Sequence, residues 1–250
     1  MMPEFAIYPS LKDKPVLISG GASGIGAMTV AAFAAQGAKV AFLDRDAEAS
    51  AKVAAETGAA YALCDLRNIA ATQTAIKELA AQTGDFLVLA NNAARDDRHN
   101  WQDVTPEYWD ERMDTNLRHM FFTMQGVAPG MIAAGGGSII NLGSNSWWEA
   151  VGNFPAYATA KAAVHGLTRT MARDLGPDRI RVNTVVPGWI MTDRQKDLWV
   201  TPEGLEGQKQ RQCLPDLIDP VYVARMILFL ASDDAAMCTA HNYMVEAGTI

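Results

Sequence analysis

The stretch Ser19-Gly20-Gly21-Ala22-Ser23-Gly24-Ile25-Gly26 decides the fold, because it joins an apolar run to a helix-like segment. The apolar run is Pro15–Ser19, and the alanine-rich residues 27–36 follow the glycines directly. Glycines let a backbone turn sharply, and the N-terminus of a helix offers free N–H groups to an anion. A strand, a glycine-rich turn and a helix in this order favour a dinucleotide pyrophosphate site, with a plain tight turn as the alternative.

Short apolar runs alternate with segments of helical periodicity along the rest of the chain. Strands are predicted at residues 39–43, 59–64, 86–90, 138–142, 180–186 and 242–245. Helices are predicted at residues 47–57, 68–82, 106–134 with an interruption, and 156–175. This alternation predicts one α/β domain over residues 1–250, a doubly wound (Rossmann) parallel sheet of about seven strands with helices on both faces. Residues 188–215 are the least regular stretch, and we expect a cover over the site there.

Composition excludes several classes of partner. The net charge of the 250 residues is −7, without the basic cluster that a nucleic-acid partner requires. No apolar run is long enough for a transmembrane helix, so no membrane association is expected. Three scattered cysteines and four scattered histidines lack metal-ligand spacing, so we expect no metal and a cytoplasmic, reduced protein.

Polar residues follow the predicted strands, at the sheet edge where such folds bind ligands. Asp44 ends the second strand, where a carboxylate can accept hydrogen bonds from the adenosine ribose and repel a 2′-phosphate. This favours NAD, although Arg45 could hold the 2′-phosphate of NADP. The alternative is that Asp44 is an ordinary solvent-exposed loop residue. Asp65 and Leu66 follow the third strand and are expected at the adenine. Asn92 follows the fourth strand, where the backbone approaches a ligand closely.

Tyr157 and Lys161 are spaced to lie on one face of a predicted helix. Lowering a tyrosine pKa from about 10 to about 7 takes roughly 4 kcal/mol of preferential phenolate stabilisation. A neighbouring ammonium and an oxidised nicotinamide carry the right charge for this. Such a pair is usually an ordinary helix surface, but here Ser144 follows the fifth strand and Asn116 lies on the preceding helix.

These motifs together, with Pro187-Gly188 after the sixth strand, resemble the short-chain dehydrogenase/reductase family over essentially the whole chain. The resemblance implies that Tyr157 is the catalytic acid/base and that Ser144 holds the substrate oxygen. Lys161 would lower the tyrosine pKa and bind the nicotinamide ribose, while Asn116 would anchor a water-linked proton relay. The implied cofactor contacts are Gly20, Ser23, Gly24, Ile25, Gly26, Asp44, Asp65, Leu66, Asn92, Tyr157, Lys161, Pro187, Gly188, Ile190 and Thr192. Ser19 and Ala94 depart from the usual Thr and Gly.

Other stretches resemble the bacterial aldose 1-dehydrogenases of this family, which act on D-xylose, L-arabinose or D-galactose. The stretches include Asp96-Asp97-Arg98-His99, Asn116-Leu117-Arg118-His119-Met120 and Thr201-Pro202-Glu203-Gly204. The resemblance implies oxidation of a sugar at C1 to its lactone, and a homotetramer. Another short-chain alcohol dehydrogenase or carbonyl reductase, acting on a polyol or oxo substrate, is the alternative, and a binder without chemistry is a third.

A polar segment beside Ser144 agrees with a sugar substrate. Amides, hydroxyls and an indole face suit a sugar's hydroxyl and C–H surfaces. The predicted substrate contacts are Ser144, Asn145, Ser146, Trp147, Tyr157 and Asp96. The alternatives are that Trp147 and Trp148 pack against the cover and that residues 96–99 brace loops or a subunit contact.

Overall fold

Seven strands form a single parallel sheet in the computed structural model, which describes residues 5–250. The strands are β1 (Pro15–Ser19), β2 (Lys39–Asp44), β3 (Ala60–Leu63), β4 (Val88–Asn91), β5 (Gly137–Leu142), β6 (Ile180–Pro187) and β7 (Asn242–Val245). Their order is β3-β2-β1-β4-β5-β6-β7, with every neighbouring pair parallel. The chain reverses its direction of winding between β1 and β4, which is where such sheets form a ligand crevice.

The described chain contains nine helices, most of which cover the two faces of the sheet. They are α1 (Gly24–Ala35), α2 (Ala47–Thr57), α3 (Ile69–Thr83), α4 (Pro106–Met113), α5 (His119–Ala133), α6 (Pro155–Leu175), α7 (Asp193–Leu198), α8 (Pro202–Arg211) and α9 (Pro220–Ala231). Side chains of Asp46, Asn68 and Thr105 cap α2, α3 and α4 by accepting backbone N–H groups. The predicted doubly wound fold is therefore confirmed.

Alternate strand residues point into two separate cores. Val16 and Ile18 of β1 pack with α1 and α9, while Leu17 between them packs with α3 and α5 on the opposite face. Strands buried on both faces explain the continuous apolar runs in the sequence. Both cores hold the strands rigidly, so the loops at their carboxyl ends start from fixed positions.

Three segments differ from the sequence predictions. The interrupted helix at residues 106–134 is α4, a π-helical turn at Asp114–Arg118, and α5. Residues 188–215, hereafter the cover segment, are more regular than predicted, since they contain α7 and α8. Thr192 and Thr201 cap these helices and Pro202 begins α8, a readable start signal that the low apolar content of the segment obscured. No prediction covered α9, which is apolar almost all round and lies against α1.

No helix in residues 5–250 is long and apolar enough to cross a membrane.

Candidate active site

A cleft of about 1570 Å³ opens at the carboxyl ends of the strands, and most of the predicted site residues line it. It extends from the glycine turn, past Tyr157, to the cover segment. Gly26, Asn116 and Trp147 are the three predicted site residues that do not line the cleft. The others are Gly20, Ser23, Gly24, Ile25, Asp44, Asp65, Leu66, Asn92, Asp96, Ser144, Asn145, Ser146, Tyr157, Lys161, Pro187, Gly188, Ile190 and Thr192.

The glycine turn forms one end of the cleft and is built by close backbone packing. Gly20 and Gly24 have φ angles of 69° and 53°, which favour glycine. A Cβ on Gly26 would lie 1.8 Å from the carbonyl oxygen of Gly20, so Gly26 packs beneath the turn. Ser23 precedes α1 without a side-chain cap, which leaves the first N–H groups of α1 free for an anionic ligand. The turn therefore fits a dinucleotide pyrophosphate.

Asp44 lies at the end of β2, beside this turn. Its Oδ2 accepts a hydrogen bond from the Ala22 amide at 3.0 Å, and its Oδ1 accepts from the amides of Arg45 and Asp46 at 2.7 and 3.1 Å. Backbone donors thus fix the carboxylate at the rim of the cleft. Because Oδ1 already accepts from two amides, Oδ2 is the oxygen that retains acceptor capacity for a ribose hydroxyl.

Asp65 also lines the cleft, but an arginine occupies its carboxylate. Arg67 lies 2.6 Å from Asp65 Oδ2, and this hydrogen bond lowers the pKa of Asp65. Leu66 packs at the edge of the core between these two residues. The Asp65 side chain is therefore committed to Arg67, and Leu66 offers the apolar surface that an adenine ring needs.

Asn92 connects the end of β4 to the glycine turn. Its Nδ2 donates to the carbonyl oxygens of Ser19 and Gly20, at 3.1 and 2.8 Å. The Ser19 hydroxyl in turn accepts from the amides of Asn92 and Ala93. Serine thus supplies the hydroxyl that a threonine would otherwise provide at this position.

Asn116 is fully buried in the π-helical turn, and its side chain braces the loop after β4. Its Oδ1 accepts from the Arg95 amide at 2.8 Å, and its Nδ2 donates to the Arg112 carbonyl oxygen at 3.0 Å. His119, at the end of the same turn, binds the Ala93 carbonyl oxygen through Nε2. The side chain of Asn116 is therefore a positioning group, and its part in a proton relay stays a prediction.

Ser144, Tyr157 and Lys161 meet at the centre of the cleft. The Ser144 hydroxyl is hydrogen-bonded to Tyr157 and to the Ser146 hydroxyl, the latter at 2.9 Å. Lys161 is 1% exposed, and its Nζ donates to the Leu142 carbonyl oxygen at 2.7 Å and lies 5.8 Å from the Tyr157 ring centre. The predicted grouping of a hydroxyl, a phenol and an ammonium is present in the structure.

Burial dominates the electrostatics of this group. Burial lowers the pKa of Lys161 to about 7, against the opposing effect of Asp96. Burial and then Asp96 raise the pKa of Tyr157 above its usual range, while the Ser144 hydrogen bond and the Arg98 charge lower it. The predicted lowering of the tyrosine pKa by Lys161 therefore stays a prediction. A cation placed beside Tyr157 would act in the required direction.

The structure places Trp147 away from the cleft, contrary to its prediction as a substrate contact. Its indole stacks on Trp148 with ring centres 3.9 Å apart, and its Nε1 donates to His165 at 3.3 Å. This hydrogen bond to α6 holds the Trp147 ring away from the cleft. Asn145 and Ser146 do line the cleft, and Asn145 donates to Glu149.

Asp96 holds the cover segment against the loop after β4. Gln195 of α7 donates to Asp96 Oδ2 at 2.7 Å and accepts from Trp189 Nε1 at 2.9 Å. The neighbouring Asp97 binds Arg194 of α7 at 2.6 Å. Residues 96 and 97 therefore brace loops, as the alternative interpretation states, while Asp96 also faces Tyr157 closely enough to affect its pKa.

Several cleft residues were not among the predicted site residues. They include Arg98, Glu149, Phe154, Trp189, Trp199 and Arg211. Arg98 belongs to the charged run at residues 96–99, which was a usable signal. Trp189 and Trp199 lie in the cover segment, where a tryptophan among polar residues was a weaker signal of a site.

Comparisons with known proteins agree with the geometry. The profile of a family described as enoyl-(acyl carrier protein) reductase matches residues 20–249. The chain is 52% identical over 248 residues to D-xylose 1-dehydrogenase of Caulobacter vibrioides, covering 97% of this chain and 98% of that one. It is 48% identical over 247 residues to a probable galactose dehydrogenase of Rhizobium meliloti, covering 96% of each.

A solved short-chain type dehydrogenase/reductase from Mycobacterium ulcerans superposes with a TM-score of 0.91 at 28% identity. The match covers 96% of this chain and 90% of that one. The fold, the grouping of Ser144, Tyr157 and Lys161, and the near full-length similarity therefore agree, and the chain belongs to the short-chain dehydrogenase/reductase family.

Proposed function

We propose that this protein is an NAD-dependent aldose 1-dehydrogenase, which oxidises a pyranose at C1 to the lactone. The observation that carries the proposal is the 52% identity, over nearly all of both chains, with D-xylose 1-dehydrogenase. The polar lining of the cleft around Ser144 supports a substrate rich in hydroxyls. D-Xylose, L-arabinose and D-galactose are the candidate substrates.

The proton chemistry falls to three side chains. Ser144 donates to the C1 oxygen of the sugar and holds it beside Tyr157, whose phenolate removes the C1 hydroxyl proton. The Lys161 ammonium stabilises that phenolate and binds the nicotinamide ribose, and Asn116 anchors the relay that returns the proton to solvent. NAD, when bound, supplies the hydride acceptor.

NAD fits the residues at the cofactor end of the cleft. The free N–H groups of α1 would hold the pyrophosphate, and Asp44 would accept from the adenosine ribose hydroxyls. Pro187, Gly188, Ile190 and Thr192 would flank the nicotinamide. Arg45 lies at the same rim and is the group that would hold a 2′-phosphate if NADP were used.

We further propose a cytoplasmic homotetramer. Large apolar side chains remain exposed on α4, α5 and α9, including Trp109, Phe121 and Tyr222. Such surfaces support burial between subunits. The cysteines Cys64, Cys213 and Cys238 are unpaired, which suits a reducing compartment.

A substrate panel tests this function. Formation of reduced nicotinamide is followed with pentoses and hexoses, each with NAD and with NADP, and lactone is identified as the product. We expect turnover with at least one aldose and a preference for NAD. Turnover of polyols or ketones without any aldose would overturn the proposal in favour of another short-chain alcohol dehydrogenase or carbonyl reductase.

A further inference from the structure

We propose that Arg98 binds a hydroxyl group of the substrate, and that aromatic rings from two elements hold its guanidinium plane in place for this contact. This inference rests on the proposed function, since it deepens the description of the sugar site. Arg98 lies in the loop after β4 and lines the cleft.

Aromatic rings contact the guanidinium from two elements. The Arg98 Cζ lies 3.9 Å from the ring centre of Phe154, which is 3% exposed and precedes α6. The same atom lies 5.4 Å from the ring centre of Trp199, at the end of α7 in the cover segment. A planar guanidinium stacks on aromatic faces, and stacking leaves its N–H donors at the edge. These two contacts therefore hold the guanidinium between the rings of Phe154 and Trp199 without using its N–H donors.

The donors of Arg98 remain available to a ligand. Within residues 5–250, the Arg98 guanidinium makes no hydrogen bond or ion pair with another side chain or the backbone. Its neighbours differ, because Arg95, Arg112 and Arg194 all pair with Asp97. An arginine that contacts aromatic rings while its N–H donors stay unpaired is preorganised for an oxygen ligand.

The position of Arg98 places it beside the reacting centre. Phe154 also stacks on the Tyr157 ring, with centres 5.4 Å apart and an interplanar angle of 23°. Arg98 and Tyr157 thus both contact the Phe154 ring. The Arg98 charge also lowers the pKa of Tyr157, against burial and Asp96. A sugar whose C1 oxygen contacts Tyr157 would present a neighbouring hydroxyl to Arg98.

A mutant cycle with deoxy sugars tests this contact. The kcat/KM of the wild type and of Arg98→Gln is measured with the preferred aldose and with its singly deoxygenated analogues. A hydrogen bond to a charged donor predicts a loss of about 10- to 100-fold for Arg98→Gln with the parent sugar, mainly in KM. For one deoxy analogue the loss should shrink to the part that comes from the Arg98 charge on Tyr157, because the contact is then absent in both enzymes.

The variants Arg98→Lys and Arg173→Gln complete the design. Arg98→Lys keeps the charge but loses the planar fork, so we expect it to recover only part of the parent-sugar activity. Arg173 is exposed on α6, and Arg173→Gln controls for the loss of one positive charge. We expect it to behave as wild type with every sugar.

The outcomes separate the contact from a purely structural role. An equal loss for Arg98→Gln with every analogue would mean that Arg98 only braces the cover segment, and would overturn the inference. If the wild type oxidises no aldose, the proposed function fails separately. The same cycle, run on the hydroxyls of whichever polyol or hydroxyketone is turned over, then decides whether Arg98 binds a hydroxyl.

Discussion

The two halves of the cleft are built in different ways. The cofactor half, after β1, β2 and β3, is made of backbone: glycines in close contact, free amides of α1, and Asp44 held by three amides. The substrate half, after β4, β5 and β6, is made of side chains paired across distant segments, such as Asp96 with Gln195 and Arg98 with Trp199. Backbone geometry suits a common ligand, whereas side-chain pairs can change with the substrate.

A chain of charges connects the two halves. Arg67 binds Asp65 in the cofactor half and Glu111 of α4, each at a distance below 3 Å. Glu111 pairs with Arg112, and Arg112 binds Asp97, which binds Arg194 of the cover segment. Arg112 is 8% exposed at its side chain, so the middle of the chain is shielded from solvent. The cover segment is therefore connected through α4 to the Asp65–Arg67 pair.

Tyr157 lies where the two halves meet, and replacing it should have the largest effect. Tyr157→Phe keeps the ring that stacks on Phe154 but removes the hydroxyl that we propose as the acid/base, and such a group is typically worth about 10²- to 10⁴-fold in rate. We expect kcat to fall by that factor while the Kd of the cofactor, measured by fluorescence titration, changes little. Tyr61→Phe, on exposed β3, is the matched control and should retain full activity. Retained turnover in Tyr157→Phe would remove this residue from the mechanism.

The two halves should differ in how well a glycine tolerates replacement by alanine. In Gly26→Ala the Cβ would lie 1.8 Å from the Gly20 carbonyl oxygen, whereas in Gly152→Ala nothing lies within 4 Å. Overpacking costs about 1–3 kcal/mol, so Gly26→Ala should lower the Tm by about 2–12 °C and weaken cofactor binding. Gly152→Ala should leave both unchanged in thermal melts with and without NAD. Equal melting temperatures for the two variants would contradict the contrast between the halves.

The same contrast explains what could be predicted from the sequence. The β1 run, the glycine turn and Asp44 are local signals in the sequence, and the structure brings them together at one end of the cleft. The direction of Trp147 depends on His165, eighteen residues away on α6, and no local pattern encodes that contact. The role of Arg98 likewise depends on rings at positions 154 and 199. Short polar helices such as α7 and α8 contain few apolar residues, so their hydrophobic periodicity is weak. They are marginally stable alone and depend on the rest of the fold.

His119 binds the Ala93 carbonyl oxygen where the two halves meet, and its protonation should change the free energy of unfolding with pH. Burial and the Lys161 charge lower the pKa of His119 from 6.5 to about 4. Between pH 6.5 and 4 the unfolded chain takes up a proton that the folded chain does not, so acid destabilises the fold there. We expect this residue to account for about 3 kcal/mol of lost unfolding free energy over that range.

Denaturant unfolding of variants across this pH range checks the His119 prediction. His119→Gln should show a flatter dependence of the unfolding free energy on pH than the wild type. His241→Gln replaces an exposed histidine and should keep the wild-type slope. Identical slopes in His119→Gln and wild type would show that His119 is protonated normally in the folded protein.

Asp44 offers the smallest effect and the sharpest test of the cofactor half. Asp44→Ala removes the carboxylate that would accept from the ribose and repel a 2′-phosphate, while Arg45 remains. We expect the ratio of kcat/KM with NAD to kcat/KM with NADP to fall about tenfold, or about 1.4 kcal/mol. Asp44→Ala also breaks three hydrogen bonds from backbone amides, which would lower stability. That loss affects kcat/KM with NAD and with NADP equally, so it cancels in their ratio.

Asp46→Ala is the matched control, because it removes an equal charge two residues away that caps α2 through the Ala49 amide. Losing that cap costs about 0.5–2 kcal/mol of stability, and Asp46 is not among the predicted ribose contacts, so the cofactor ratio should stay at the wild-type value. If both variants shift the ratio equally, cofactor choice follows the net charge of the rim. If only Asp44→Ala shifts it, the choice depends on one carboxylate fixed by backbone donors, as the rest of the cofactor half is.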